Sequence, residues 1–150
     1  MAQRIIKSVD ELLDEAEAEI STLSVKQALP LFDQADVVFV DLRDSRELDR
    51  EGRIPGAFHC PRGSLEFAID PTSPTHKPIF AEEKRFVFFC AGGLRSALAA
   101  FTAHRMGLGP VSHIAGGFGA WRNAGAPVAL PEHAPGEALA DLTGPRAVAA

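Results

Sequence analysis

Two short stretches with no polar interruption constrain the fold more than anything else in the chain. V-V-F-V-D (Val37–Asp41) and F-V-F-F (Phe86–Phe89) have the length of strands. Their continuous apolar character is that of parallel strands buried on both faces. Val111–Ile114 reads as a third strand, and Ala57–Cys60 as a brief one after the breaks at Gly52 and Pro55-Gly56. Helical patterns fall between them. Ser8, with Glu11 three residues on, predicts a capped helix to about Ile20, with Leu12, Leu13, Ala16 and Ile20 at helical spacing. Further helices are expected at Val25–Phe32, as a charged surface turn at Arg43–Arg50, at Leu65–Ile69, at Ser96–Met106 and at Phe118–Asn123. Gly107 and Gly109-Pro110 end the Ala- and Leu-rich one. Strands alternating with helices predict an α/β domain around a mainly parallel sheet. Such sheets bind ligands beyond the carboxyl ends of their strands, where Asp41 and Cys90 both fall.

A chain of 150 residues suits one domain with its own core. A formal charge of −5 argues against a nucleic-acid or anionic-membrane partner, either of which selects a basic face. Cys60 and Cys90 are the two cysteines, too few for a disulfide framework, which favours a reducing compartment. The first twenty residues are acidic and amphipathic, without the apolar segment of a secretory signal. No run is long enough to span a bilayer. A cytoplasmic location is the expectation. After Ala129, Ala, Pro and Gly dominate and periodicity fades, so a surface-draped or disordered tail is expected there.

The chemistry concentrates where a buried strand hands over to a helix, in C-A-G-G-L-R-S, Cys90–Ser96. Gly92 and Gly93 allow the backbone to curl with its N–H groups inward, making an anion-binding concavity. The helix that begins near Arg95 adds its positive end, and Arg95 can add a full charge. A cysteine facing such a site is expected to ionise below the free-thiol pKa of about 8.5. A buried, inert cysteine beside a tight turn is the competing reading.

The loop resembles the active-site loop of the rhodanese sulfurtransferase family. Upstream, D-L-R-D-S-R-E-L-D-R-E-G-R-I-P-G-A is similar to the family signature D-V-R-x-x-x-E followed by G-H-I-P-G-A. Downstream, I-A-G-G-F-G-A-W-R-N-A-G-A-P-V is similar to L-x-G-G-x-x-x-W-x-x-A-G-x-P-V. The resemblance runs from about Thr22 to Val128 and departs at Arg53, where the family usually has histidine. It implies a three-layer α/β domain with about five strands, over residues 21–128. Residues 1–20 would be a helical extension and 129–150 a C-terminal tail. It further implies a sulfur transfer without cofactor or metal. Cys90 would take the outer sulfur of a donor such as thiosulfate as a persulfide, then give it to cyanide, a thiol or a protein acceptor. No histidine base is required by that chemistry. Ala91, Gly92, Gly93, Leu94, Arg95 and Ser96 would bind the substrate. The resemblance also places the Ala57–Cys60 strand at the sheet edge, two strands from Phe86–Phe89. At about 4.8 Å per strand the two thiols are then near 10 Å apart, beyond bridging.

Other side chains admit two readings. Asp41 can hydrogen-bond toward the cysteine loop or cap the following turn. Arg43 and Glu47, at i and i+4, are expected to pair on a helix. Arg46 can reach an anionic donor or stay solvated. Trp121 and Cys60 read as packing residues. The acidic N-terminal helix reads as an element docked on the domain, with a dimer or partner contact as its alternative. His59, His76, His104, His113 and His133 show no metal-ligand spacing. Two other functions compete: a non-catalytic rhodanese-like binding or redox-sensing module, and a cysteine-dependent phosphatase or arsenate reductase. The loops of the latter hold five residues between cysteine and arginine, whereas Ala91–Leu94 supply four.

Overall fold

The unbroken apolar runs become the middle of a parallel sheet. In the computed structural model the described residues are 2–131 and 148–149. In chain order they form α1 (Val9–Glu19), β1 (Ser21–Leu23), α2 (Val25–Ala28), β2 (Val37–Asp41), α3 (Ser45–Glu51), β3 (Phe58–His59), α4 (Leu65–Ile69), β4 (Arg85–Phe89), α5 (Leu94–Met106), β5 (Val111–Ile114), α6 (Gly117–Asn123), β6 (Val128–Ala129) and β7 (Val148–Ala149). The five-stranded sheet has the order β1-β5-β4-β2-β3. Every pairing in it is parallel.

Two-sided burial explains the composition of the central strands. Phe86 and Phe88 of β4, with Val40 of β2, enter one cluster with Leu65, Phe80, Ala99 and Ala103. Val87 and Phe89, with Phe39, enter the opposite cluster with Phe118, Trp121 and Val128. The period-two alternation of strand side chains thus feeds two cores, which is why β4 is apolar at four consecutive positions. Helices cover both faces, giving three layers. α1 packs against α5. Ser8 caps α1 in a full capping box with Glu11.

Three departures from the sequence expectation go beyond a residue or two at an element's end or bear on the site. The edge strand β1 has no counterpart in the strand pattern of the sequence. The Val25–Phe32 helix is one turn of α-helix followed by a 3-10 turn at Leu29–Leu31. α5 starts at Leu94, before Ser96, because Gly93 serves as its N-cap with φ +98°, a conformation open to glycine without a side-chain cap. The expected tail, 129–150, lies largely outside the described residues. Where it is described, Ala129 pairs with Val148 in an antiparallel ribbon and bridges Arg53 through its backbone. Among the described residues no helix is long and apolar enough to cross a membrane.

Candidate active site

β4 is the middle strand of the sheet, and its carboxyl end delivers Cys90 to the start of α5. The thiol is buried, with Cys90 1% exposed. The Gly93 backbone N–H donates to Sγ at 3.2 Å, and the Ser96 N–H at 3.4 Å. The Sγ–H donates in turn to Ser96 Oγ at 3.6 Å. Two amides from the first turn of a 13-residue helix therefore converge on one sulfur atom. They bring the positive end of the helix dipole with them, and favour negative charge at that position. Ala91, Gly92 and Leu94 form the outer wall of the loop, Gly92 and Leu94 being exposed.

The loop is held from behind by the start of α6. The N–H of Phe118 donates to the Cys90 carbonyl at 2.7 Å, and that of Gly119 to the Ala91 carbonyl at 3.1 Å. Such an approach leaves no room for a side chain at Gly117. A Cβ there would lie 2.3 Å from the Cys90 carbonyl oxygen, and φ is +58°. The Gly116-Gly117 pair, read from sequence only as a turn, is what seats the cysteine loop.

Asp41 stands beside the site with its carboxylate engaged by Arg43. It pairs in register with Phe89, the residue before Cys90. Its carboxylate accepts from the Arg43 N–H at 3.1 Å, from Nε at 3.0 Å and from Nη2 at 2.8 Å. Arg43 is fully buried, donates also to the Gly52 carbonyl, and lays its guanidinium 4.1 Å from the centroid of the Phe118 ring. Removing one partner of such a buried pair costs about 3–5 kcal/mol, so Asp41 is committed to Arg43 and serves the turn.

The expected Arg43–Glu47 pair is therefore absent. Glu47 instead accepts from Arg95, Oε1 from Nη2 at 2.8 Å and Oε2 from Nη1 at 2.9 Å. The Arg95 hydrogen bonds hold the Glu47 carboxyl down at about 2, and the carboxylate raises the Arg95 pKa in return. Arg95, expected to face the substrate, is thus engaged by α3. Arg46 is exposed on α3 and makes no hydrogen bond or ion pair to the loop among the described residues.

The signal missed most completely in the sequence is His113. Its Nδ1 lies 3.0 Å from Ser96 Oγ, and its Nε2 lies 3.0 Å from Thr22 Oγ1. Cys60 and Cys90 are both free. Cys60 is packed in the core, where burial pushes its thiol up to about 11.

The model of the family described as "Rhodanese-like domain" matches residues 24–124. A mouse (Mus musculus) protein named thiosulfate sulfurtransferase/rhodanese-like domain-containing protein 3 is 28% identical over 104 residues, which are 66% of this chain and 66% of the mouse protein. Human (Homo sapiens) thiosulfate:glutathione sulfurtransferase is 29% identical over 106 residues, 67% of this chain and 91% of the human one. A solved structure from Rhodopseudomonas palustris, of a protein of unknown function described as a possible tyrosine phosphatase, is 59% identical. It superposes with a TM-score of 0.82 over 85% of this chain and 98% of its own. With the family match running unbroken from β1's end through the cysteine loop to the end of α6, this chain belongs to the rhodanese-like domain family.

Proposed function

We propose that the protein is a sulfurtransferase that carries a sulfane sulfur on Cys90 between a small sulfur donor and a thiophilic acceptor. The observation that carries this reading is the convergence of the Gly93 and Ser96 N–H groups on the Cys90 sulfur at the start of α5. In the first half-reaction the Cys90 thiolate attacks the outer sulfur of a donor such as thiosulfate. A bond forms between the two sulfurs, the donor's own S–S bond breaks, and sulfite leaves with the electron pair. In the second, cyanide or a thiolate attacks the outer sulfur of the persulfide and Cys90 departs as a thiolate. Preorganised amides suit both halves, since negative charge on sulfur begins and ends each one. The names of the mouse and human relatives support the same class of reaction.

A phosphatase is the second reading, favoured by the description of the R. palustris protein. The four-residue spacing from Cys90 to Arg95 weighs against it. Intact-protein mass spectrometry after exposure to thiosulfate tests the main reading. One added sulfur atom, removed by cyanide and missing in Cys90→Ser, is the expected result. Sulfur loading that survives Cys90→Ser would overturn the assignment.

A further inference from the structure

Behind the cysteine loop a line of polar side chains crosses the interior and ends at the sheet edge. Cys90 Sγ–H donates to Ser96 Oγ at 3.6 Å, Ser96 Oγ lies 3.0 Å from His113 Nδ1, and His113 Nε2 lies 3.0 Å from Thr22 Oγ1. Cys90, Ser96 and His113 are 1%, 0% and 1% exposed, whereas Thr22 is exposed on β1. The Glu17 carboxylate of α1, its side chain 48% exposed, lies 3.8 Å from the same Nε2. A buried histidine with a hydroxyl on each nitrogen is more than packing needs, because an apolar residue would fill that volume without the cost of burying a polar ring.

We propose that Ser96 and His113 form a proton relay between the Cys90 sulfur and solvent at the α1/β1 edge, with His113 as the positioning residue that sets the direction of the chain. The inference rests on the reading of Cys90 as the nucleophile. As the thiol is activated, its proton passes to Ser96 Oγ while the Ser96 hydroxyl proton passes to His113 Nδ1. His113 then carries protons on both nitrogens and loses the one on Nε2 toward Thr22, Glu17 and water. Thiolate, hydroxyl and neutral imidazole remain, and no electrons are exchanged. With the sulfur ionised, Ser96 O–H can turn to donate to it and accept from His113 Nδ1–H. Two hydroxyls and a ring with two tautomers permit this reversal. When an acceptor removes the persulfide sulfur, the same path returns a proton to Cys90.

Burial holds the His113 pKa below its usual value, so the ring rests neutral and a proton taken on Nδ1 is readily given up from Nε2. The titratable groups that face it are Glu17 from α1 and, across Ser96 of α5, Cys90. The neighbours Thr22 on β1 and Phe88 on β4 carry no charge.

The test is the pH dependence of Cys90 alkylation by iodoacetamide, read by peptide mass spectrometry in wild type, His113→Asn and Thr22→Val. Thr22→Val changes only the exposed end and guards against a core substitution that fails to fold. Because the Ser96 O–H that turns to the thiolate is held there by His113 Nδ1–H, loss of the chain should destabilise the thiolate, and both variants should move the profile to higher pH, His113→Asn by about one unit or roughly tenfold in rate at fixed pH. Glu17→Gln should move it in the same direction by less, because it removes the charge that stabilises the doubly protonated ring. Superimposable profiles in folded His113→Asn, or in Thr22→Val should the former not fold, would overturn the relay. Alkylation reports on Cys90 whether or not sulfur is transferred. The relay can therefore fail while thiosulfate still loads Cys90, and failure of that loading leaves the profiles to be judged on their own.

Discussion

Glu47 grips Arg95 through both guanidinium Nη atoms, at 2.8 and 2.9 Å, across 48 positions of sequence. The same Glu47 carboxylate accepts from the Asp44 N–H at 3.0 Å, closing the capping box of α3. One side chain therefore caps the start of α3 and anchors the first turn of α5, the turn that presents its amides to the Cys90 sulfur. Arg95 acts here as a bidentate strut for the loop, a geometry that lysine could not reproduce.

Glu47→Gln should make the protein less sensitive to acid. In the fold the Glu47 carboxyl sits at about 2, against an ordinary value of 4.5. A depressed carboxyl contributes stability that is complete above the unfolded value and is lost as pH falls from 4.5 toward 2. The Arg95 side chain is 42% exposed, so solvent screening leaves only about 1 kcal/mol of that contribution. Urea unfolding at pH 6 and pH 3 should show the wild type losing this increment and Glu47→Gln losing less. Equal losses in the two proteins would mean that the ion pair does not stabilise the fold.

What was legible in the sequence follows physical locality. Phe86–Phe89 could be read because burial on two faces forces four consecutive apolar residues. Ser21–Leu23 could not: it pairs on one side only, and its exposed Ser and Thr carry no apolar run. α5 starts two residues before the expected Ser96 because its cap is Gly93, with no side-chain bond to announce it. At the site, the cysteine loop is readable because cysteine, glycines and helix start are contiguous. Its supports are not, because each partner is distant in sequence. Arg43 pairs with Asp41 and stacks on Phe118 of α6 rather than meeting Glu47, a choice made by tertiary contacts and not by helical spacing. His113 meets Ser96 from 17 positions away and Thr22 from 91. No local pattern carries such pairings.

Gly117→Ala should damage activity far more than its backbone strain alone accounts for. Gly56 provides the control, since it too has positive φ, +78°, but an added Cβ there meets nothing within 4 Å. Gly56→Ala should cost about 1–2 kcal/mol of stability and leave sulfur transfer near wild type. At Gly117 the new Cβ must push the Cys90 and Ala91 carbonyls away, from 2.3 and 2.8 Å, and the sulfur moves with them. Displacement on the scale of 1 Å reduces rates on the order of 100-fold. Thiosulfate:cyanide assays on both variants decide it. Equal activity in the two would show that the α6 start does not position the cysteine.

The number of residues in the loop should separate sulfur from phosphorus as the atom transferred. A tetrahedral phosphoryl group has to sit inside a ring of amides with phosphorus within reach of the thiolate, and this calls for a wide loop. Here four residues separate Cys90 from Arg95. The Gly93 and Ser96 amides close to 3.2 and 3.4 Å from the sulfur itself. Both amides are thus taken up by the cysteine sulfur itself, and Arg95, which a phosphatase would aim at the phosphoryl oxygens, is held by Glu47. The unmodified protein should therefore transfer sulfur from thiosulfate to cyanide and release no para-nitrophenol from para-nitrophenyl phosphate. Inserting one glycine between Gly93 and Leu94 should weaken sulfur transfer and open the loop to phosphate or arsenate, seen as protection of Cys90 from alkylation by either anion. Turnover of para-nitrophenyl phosphate by the unmodified protein, abolished by Cys90→Ser, would refute the loop-size argument and make phosphoryl transfer the better reading of the same cysteine.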